Sequence, residues 1–408
     1  MKTELQKDFI DEIKSFKEFG KKTQSFEFKF NSITVPFFVN EFWTSRQRQA
    51  HSLHEISYRA CFKPQLPRFF ITRLTREGDT VYDPFIGRGT TLLESALLGR
   101  IPFGCDVNPI STILVRPRLF PPAIVEIEDR IKTIGLNSDC EFPEELLVFY
   151  HSETLKAVVN LKNYILDKES EGKLDPIDSW IRMVATNRLT GHSNGFFSVY
   201  TLPPNQAVSM KSQQRINTKR GLTPPLRDVK KIILKKSRNL LKDLTEFDRI
   251  ELERVGKLAK LETASCDKTE FIEDETVSLV VTSPPFLNEV NYKTDNWLRC
   301  WFNGIDAERI QIWQIKNISE WQSAMQNVFV ELCRILKPGG YVAFEVGEVR
   351  SKTVKLEELV LPAGIAAGLT PLFVLINEQV FTKTSNCWGI DNSQKGTNTN
   401  RIVLFQKK

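Results

Sequence analysis

The chain has 408 residues, 41% hydrophobic and 26% charged, enough to bury a sizeable core as two compact domains or as one α/β domain with a large insertion. Its seven cysteines are odd in number and contain no Cys-x-x-Cys pair, which excludes a disulfide framework and a structural zinc site. No run reaches the roughly 18 apolar residues of a membrane span, and the N-terminus lacks the apolar stretch of a signal peptide, so a cytoplasmic protein without membrane contact is expected.

Residues 1 to 24 interleave charges with Phe9, Ile10, Ile13, Phe16 and Phe19, a spacing that predicts an amphipathic helix. Phe26, Phe28 and Phe30, then Asn31-Ser32, then Ile33 and Val35 predict a hairpin packed over a sheet. His51 to Thr75 reads as a loop leading into a helix. Thr80 to Asp83 reads as a strand, Thr90 to Leu98 as a helix closed by Gly99, and Ile101 to Asp106 as a second strand. That order is a βαβ unit and requires a parallel sheet.

From about 117 to 255 the pattern changes. Helical spacing recurs at Leu146 to Leu166, Trp180 to Leu189 and Leu226 to Leu244, with no further βαβ unit. Between Lys211 and Arg238 ten residues are basic (Lys211, Arg215, Lys219, Arg220, Arg227, Lys230, Lys231, Lys235, Lys236 and Arg238) against the single acid Asp228. Such a block is either a solvated helix face or a surface for phosphates. Strands return at Leu261 to Cys266, ending at Asp267, and at Thr276 to Thr282. A helix over Trp321 to Leu336 turns at Lys337-Pro338-Gly339-Gly340 into the strand Tyr341 to Val346. Leu372 to Phe381 and Arg401 to Gln406 suit a terminal antiparallel hairpin. The expectation is an α/β fold, mostly parallel with a terminal antiparallel hairpin, interrupted by a largely helical insertion. The expected parts are 1–50, 51–116, 117–257 and 258–408.

Two runs carry chemistry. Asp83-Pro84-Phe85-Ile86-Gly87-Arg88-Gly89-Thr90-Thr91 turns a strand directly into a helix, where glycine exposes backbone N–H groups and lets a ligand approach the main chain. Thr282-Ser283-Pro284-Pro285-Phe286 also follows an apolar strand. The two prolines stiffen the segment and remove N–H donors. An aromatic face beside a hydroxyl suits a flat base. The lone pair His51-x-x-His54 lacks the third and fourth ligands a metal needs, so no metal is expected.

Together these runs resemble the S-adenosylmethionine-dependent amino-methyltransferases of DNA, with a Rossmann-like methyltransferase sheet. The resemblance covers about 51–116 and 258–350 and is only positional over the insertion. It implies S-adenosylmethionine as cofactor. It implies cofactor-binding roles for Asp83, Phe85, Gly87, Gly89, Thr90, Thr91, Asp106, Asn108, Asp267 and Thr282, and catalytic roles for Ser283, Pro284, Pro285 and Phe286. Asp83 and the loop would hold the amino-acid end, Asp106 the ribose hydroxyls and Asp267 the adenine amino group. Arg88 departs from the family, where most relatives have a small residue between the glycines. Serine at 283 favours cytosine N4, with adenine N6 as the alternative. A cytosine C5 enzyme would need a Pro-Cys pair, which is absent. The resemblance further implies double-stranded DNA as partner, the insertion as target-recognition region, and a cognate restriction endonuclease of a restriction-modification system. An RNA or tRNA amino-methyltransferase and a non-catalytic DNA-binding partner remain as alternatives.

Overall fold

The structure is a computed structural model. It describes residues 2–30, 33–44, 50–58, 61–201, 207–285, 292–313, 315, 317–346, 348–349, 354–378 and 399–408. Helix α1 (Lys2–Ser15) precedes the strands β1 (Gln24–Phe30) and β2 (Ile33–Asn40). Then come α2 (Gln65–Leu74), β3 (Thr80–Asp83), α3 (Thr90–Leu97), β4 (Ile101–Asp106) and α4 (Ile110–Leu119). Among the described residues, six helices follow without a strand: α5 (Ile124–Thr133), α6 (Ser152–Ser170), α7 (Pro176–Arg188), α8 (Met210–Arg220), α9 (Val229–Leu241) and α10 (Glu246–Gly256). The chain resumes with β5 (Lys260–Thr263), β6 (Val277–Thr282), α11 (Tyr292–Phe302), α12 (Ile318–Ile335) and β7 (Leu336–Val346). A two-stranded ribbon, β8 (Glu348–Val349) and β9 (Val354–Lys355), leads to α13 (Leu356–Ala366), β10 (Leu369–Glu378) and β11 (Thr399–Lys407).

One sheet of nine strands, in the order β1-β2-β10-β11-β7-β6-β3-β4-β5, organises the molecule. The run β7-β6-β3-β4-β5 is parallel, and β11 lies antiparallel between β7 and β10. The terminal hairpin is therefore as expected, and the sheet is of the Rossmann-like kind. The N-terminal hairpin differs from its expectation: it extends the sheet at its edge, with β2 parallel to β10, instead of covering a face.

The central strands are apolar on both sides because successive side chains point to opposite faces. Val280, Val342, Phe344 and Val403 pack with Trp321, Phe329 and Val360 of α12 and α13. Leu279, Val281, Ala343 and Leu404 pack with an aromatic layer from α1 and α2, including Phe9, Phe69 and Phe70. Helices α3 and α4 join the helical region through a third cluster containing Leu92, Leu114, Leu155, Trp180 and Ile233.

Candidate active site

The order reverses beside β3: its successor β4 lies on one flank and the much later β6 on the other. An open parallel sheet offers its ligand crevice at such a point, beyond the carboxyl ends of the strands. Both chemical runs end there. A cleft of about 840 Å³, including its open mouth, is walled by Asp83, Phe85, Gly87, Thr90, Asp106, Asn108, Ser283 and Pro285 of the expected set.

Asp83 closes β3 and is only 1% exposed. Its Oδ1 accepts the Phe85 N–H at 3.0 Å and the hydroxyl of the fully buried Thr282 at 2.6 Å, which joins the ends of β3 and β6. Burial pushes the carboxyl up to about 6 in spite of these donors. Asp106 closes β4 and holds the loop together. Its Oδ2 accepts the Gly87 N–H and its Oδ1 the Asn108 N–H, both at 2.9 Å. Each carboxylate oxygen has lone pairs to spare for a ligand. Asn108 accepts the Ile110 N–H, while its Nδ2 is buried without a hydrogen-bond partner among the described residues. A donor left unmatched on a cleft wall fits an acceptor on a bound molecule.

The two glycines have separate duties. Gly87 has a positive φ of +53°, and a Cβ there would touch Cys61 Sγ and Tyr58 Cε1 at 3.8 Å, on the cleft wall and without a clash. Gly89, at φ +75°, starts α3, and a Cβ there would come within 2.1 Å of Val115 Cγ2 of α4. The first keeps the main chain accessible; the second lets two helices approach. Thr91 likewise serves the frame, since its hydroxyl donates to the Val281 carbonyl at 3.0 Å. Arg88, between the glycines, is buried and donates to Thr90 Oγ1 and to the carbonyls of Ile56 and Phe62, fastening the segment before α2 to the loop.

On the other flank, β6 ends at Thr282, which pairs with Phe344 of β7 and sets Ser283 beside Glu345. The Ser283 hydroxyl is hydrogen-bonded to the Glu345 carboxyl. Glu345 is 5% exposed and also accepts from Asn400 Nδ2 at 2.9 Å; burial raises its pKa. Pro285 lines the cleft, and its carbonyl accepts the Trp321 indole N–H at 3.0 Å. Pro284 is buried behind it. Phe286 lies outside the described residues.

Asp267 is not on the wall. Strand β5 stops at Thr263 rather than at Cys266, Asp267 is exposed and accepts from Ser265, and Ala264, Ser265 and Cys266 face the cleft. Besides these, sequence reasoning missed Glu345, Trp313 and Ile312. Glu345 sits mid-strand with no local motif. Trp313 and Ile312 reach the cleft from the segment after α11, and Trp313 meets Phe85 edge-on at 6.1 Å. Among the described residues no cluster of three or more His, Cys, Asp or Glu could hold a metal; His54 Nε2 lies 2.7 Å from the Glu94 carboxylate.

Residues 11–112 match the family model described as DNA methylase, a segment that contains the glycine loop and ends before Ser283. The chain is 24% identical to the type II methyltransferase M.BsoBI of Geobacillus stearothermophilus, over 64% of this chain and 54% of that protein. It is also 24% identical to the tRNA (guanine(10)-N2)-dimethyltransferase of Methanocaldococcus jannaschii, over 48% of this chain and 55% of that protein. The chain thus spans about half the length of these curated relatives. Among solved structures it is similar to TrmN from Thermus thermophilus, with a TM-score of 0.34 and 11% identity over 88% of this chain and 52% of that one. The chain is thus similar to the DNA methylases over residues 11–112 and, over longer stretches, to a type II methyltransferase and a tRNA methyltransferase.

Proposed function

We propose that this chain transfers a methyl group from S-adenosylmethionine to the exocyclic amino nitrogen of a base in double-stranded DNA, cytosine N4 before adenine N6. The observation that carries the reading is Ser283, standing at the mouth of the cleft with its hydroxyl on a buried carboxyl. The cofactor would supply an electrophilic methyl on a sulfonium and leave as a neutral thioether. The cleft fits it chemically: Asp83 and Asp106 offer acceptors for an ammonium and for ribose hydroxyls, Asn108 Nδ2 offers an unmatched donor, and Phe85 and Trp313 offer apolar faces for a purine.

An exocyclic amine is a poor nucleophile because its lone pair is delocalised into the ring. Acceptors on both N–H groups turn that lone pair outward. With Glu345 ionised, the Ser283 hydrogen is held toward the carboxylate, and the Oγ lone pairs are left to accept one amine N–H. The Pro284 carbonyl can take the other. Transfer of the cofactor's methyl would leave a surplus proton on the amine nitrogen, which Ser283 would pass toward Glu345, so that atoms and charge balance. Removing the base from the duplex costs a few kcal/mol, which contacts elsewhere must offset. Residues 117–257 are the proposed source of those contacts and of target recognition, and a cognate restriction endonuclease is the proposed companion, by analogy with relatives named type II methyltransferases.

The test is to incubate protein, cofactor and unmethylated plasmid, digest to nucleosides and identify the product by mass spectrometry. N4-methylcytosine is expected. N6-methyladenine would overturn the base assignment and keep the mechanism. The tRNA-modifying relative supports a second reading, an RNA amine as substrate, and methylated tRNA with unmethylated DNA would favour it.

A further inference from the structure

Beside the cofactor cleft lies a second one of about 1280 Å³, including its open mouth, and the two share Tyr58 and Cys61 as lining residues. The segment from Ala50 to Pro64 forms much of its lining, and the rest comes from distant parts of the chain: Arg88 of the glycine loop, Arg188 at the end of α7, Phe196 in the loop beyond, and Lys236 of α9. The acid on this wall is Glu55, already 3.3 Å from Lys242 and 3.9 Å from Lys236.

Three cations thus face one partly engaged carboxylate. Arg88 and Arg188 are each 8% exposed, and neither has a carboxylate partner among the described residues. Every hydrogen bond of Arg88 goes to a neutral oxygen. Arg188 lies flat on Phe196, 4.0 Å from the ring centre. It spends Nε and Nη2 on the carbonyl and side-chain oxygens of Asn187, and its Nη1 has no hydrogen-bond partner among the described residues. The fully buried Arg118 stands behind, donating to the carbonyls of Leu53 and Arg88. Burial pulls Arg188 down to about 10 and Lys236 down to about 8, the neighbouring cations adding to the effect.

Lys236 has Glu55, whose carbonyl also accepts from its Nζ at 2.5 Å, but Arg88 and Arg188 are desolvated cations without counter-charge; these are costly, and the cost is recovered when an anion arrives. The opening is wide, aromatic rings flank it, and it adjoins the site where the base would react. We infer that this second cleft holds a nucleic-acid phosphodiester next to the target nucleotide, with Arg188 and Lys236 as the phosphate contacts and Arg88 as fixed charge behind them. The inference rests on the proposed nucleic-acid substrate. It moves the phosphate grip from the exposed faces of α8 and α9 into the cleft.

The experiment measures binding of the full chain to a fluorescent duplex oligonucleotide across a salt series, for wild type, Lys236→Gln and Arg188→Gln. Each variant should flatten the slope of log K against log salt by about one unit, the loss expected per phosphate contact, with unchanged affinity for S-adenosylmethionine by calorimetry. Slopes equal to wild type in variants that still bind the cofactor would overturn the inference. So would a variant that weakens the cofactor and leaves the duplex unaffected, because the anion would then be the cofactor's own carboxylate. If Arg188→Gln fails to fold, Lys236→Gln, a less buried site, carries the test. Flattened slopes without any methylated product would sink the methyltransferase reading and keep the phosphate site; product with unchanged slopes would do the reverse.

Discussion

The two clefts share Tyr58 and Cys61 and are otherwise built by opposite means. The cofactor cleft is made at the ends of three adjacent parallel strands, is lined by the carboxylates Asp83 and Asp106, and draws much of its wall from the loops that follow those strands. Its neighbour is lined on one side by the segment from Ala50 to Pro64 and takes its cations, Arg88, Arg188 and Lys236, from elsewhere in the chain. Carboxylates suit a cationic sulfonium and ammonium, and guanidinium groups suit phosphate. In the proposed reading, the methyl donor and the polyanionic acceptor would occupy neighbouring clefts that meet at Tyr58 and Cys61.

The largest way to break this arrangement is at the wall's support. Gly89→Ala drives a methyl group into Val115 and forces an alanine to φ +75°. A loss on the order of 3 kcal/mol in chemical denaturation is expected. Gly87→Ala, whose Cβ would meet Cys61 and Tyr58 only at ordinary contact distance, should cost about 1 kcal/mol for the positive φ and weaken cofactor binding instead. Equal losses would mean that the two glycines do not divide their duties. Next is Glu345→Gln, expected to lower kcat by about 100-fold and to remove the acid limb of its pH profile, with the duplex salt slope untouched. A purely structural role would leave the profile's shape unchanged.

The pH dependence of the two clefts should run in opposite directions. Burial raises Asp83 from 3.8 to about 6, so its ionised form is a burden on the folded state. That burden is absent below the unfolded value, grows as pH rises from about 4 to about 6, and is then constant at roughly 2–3 kcal/mol. For the cofactor, which needs the carboxylate, affinity should fall by up to tenfold per unit as pH drops below 6. Lys236 titrates near 8, so duplex affinity should rise as pH is lowered from 9 to 7. Calorimetry and anisotropy on the same preparation check both signs. The smallest effect is expected at the edge of the cofactor cleft: Trp313→Phe should abolish most of the fluorescence change on cofactor binding and shift affinity by less than about fivefold.

How much of this was readable beforehand depends on whether a residue announces itself locally. The parallel strands did, because strands buried on both faces are continuous apolar runs, and so did the glycine loop, because few residues tolerate its backbone. Helix α8 did not. It has no apolar stripe and is held by buried amides, Gln213 donating to the Tyr200 carbonyl at 3.0 Å and Asn217 to the Val148 carbonyl at 2.7 Å. Glu345 was hidden because one acid inside a strand looks like any solvent-facing charge until the register sets it beside Ser283. Asp267 shows the converse: it directly follows the expected strand Leu261 to Cys266, while the observed strand stops at Thr263 and leaves Asp267 exposed, away from the cleft lining. Arg188 and Lys236, 48 positions apart, become one feature only when α7 and α9 pack together.

The most direct test of the account is a single-turnover transfer of labelled methyl from S-adenosylmethionine to unmethylated duplex DNA, comparing wild type with Ser283→Ala at saturating cofactor. The account predicts product from wild type and a rate at least 100-fold slower from the variant, with equal cofactor affinity in both. An equal rate in Ser283→Ala would take the chemistry away from the end of β6, and no transfer by a cofactor-bound wild type would contradict DNA as the substrate.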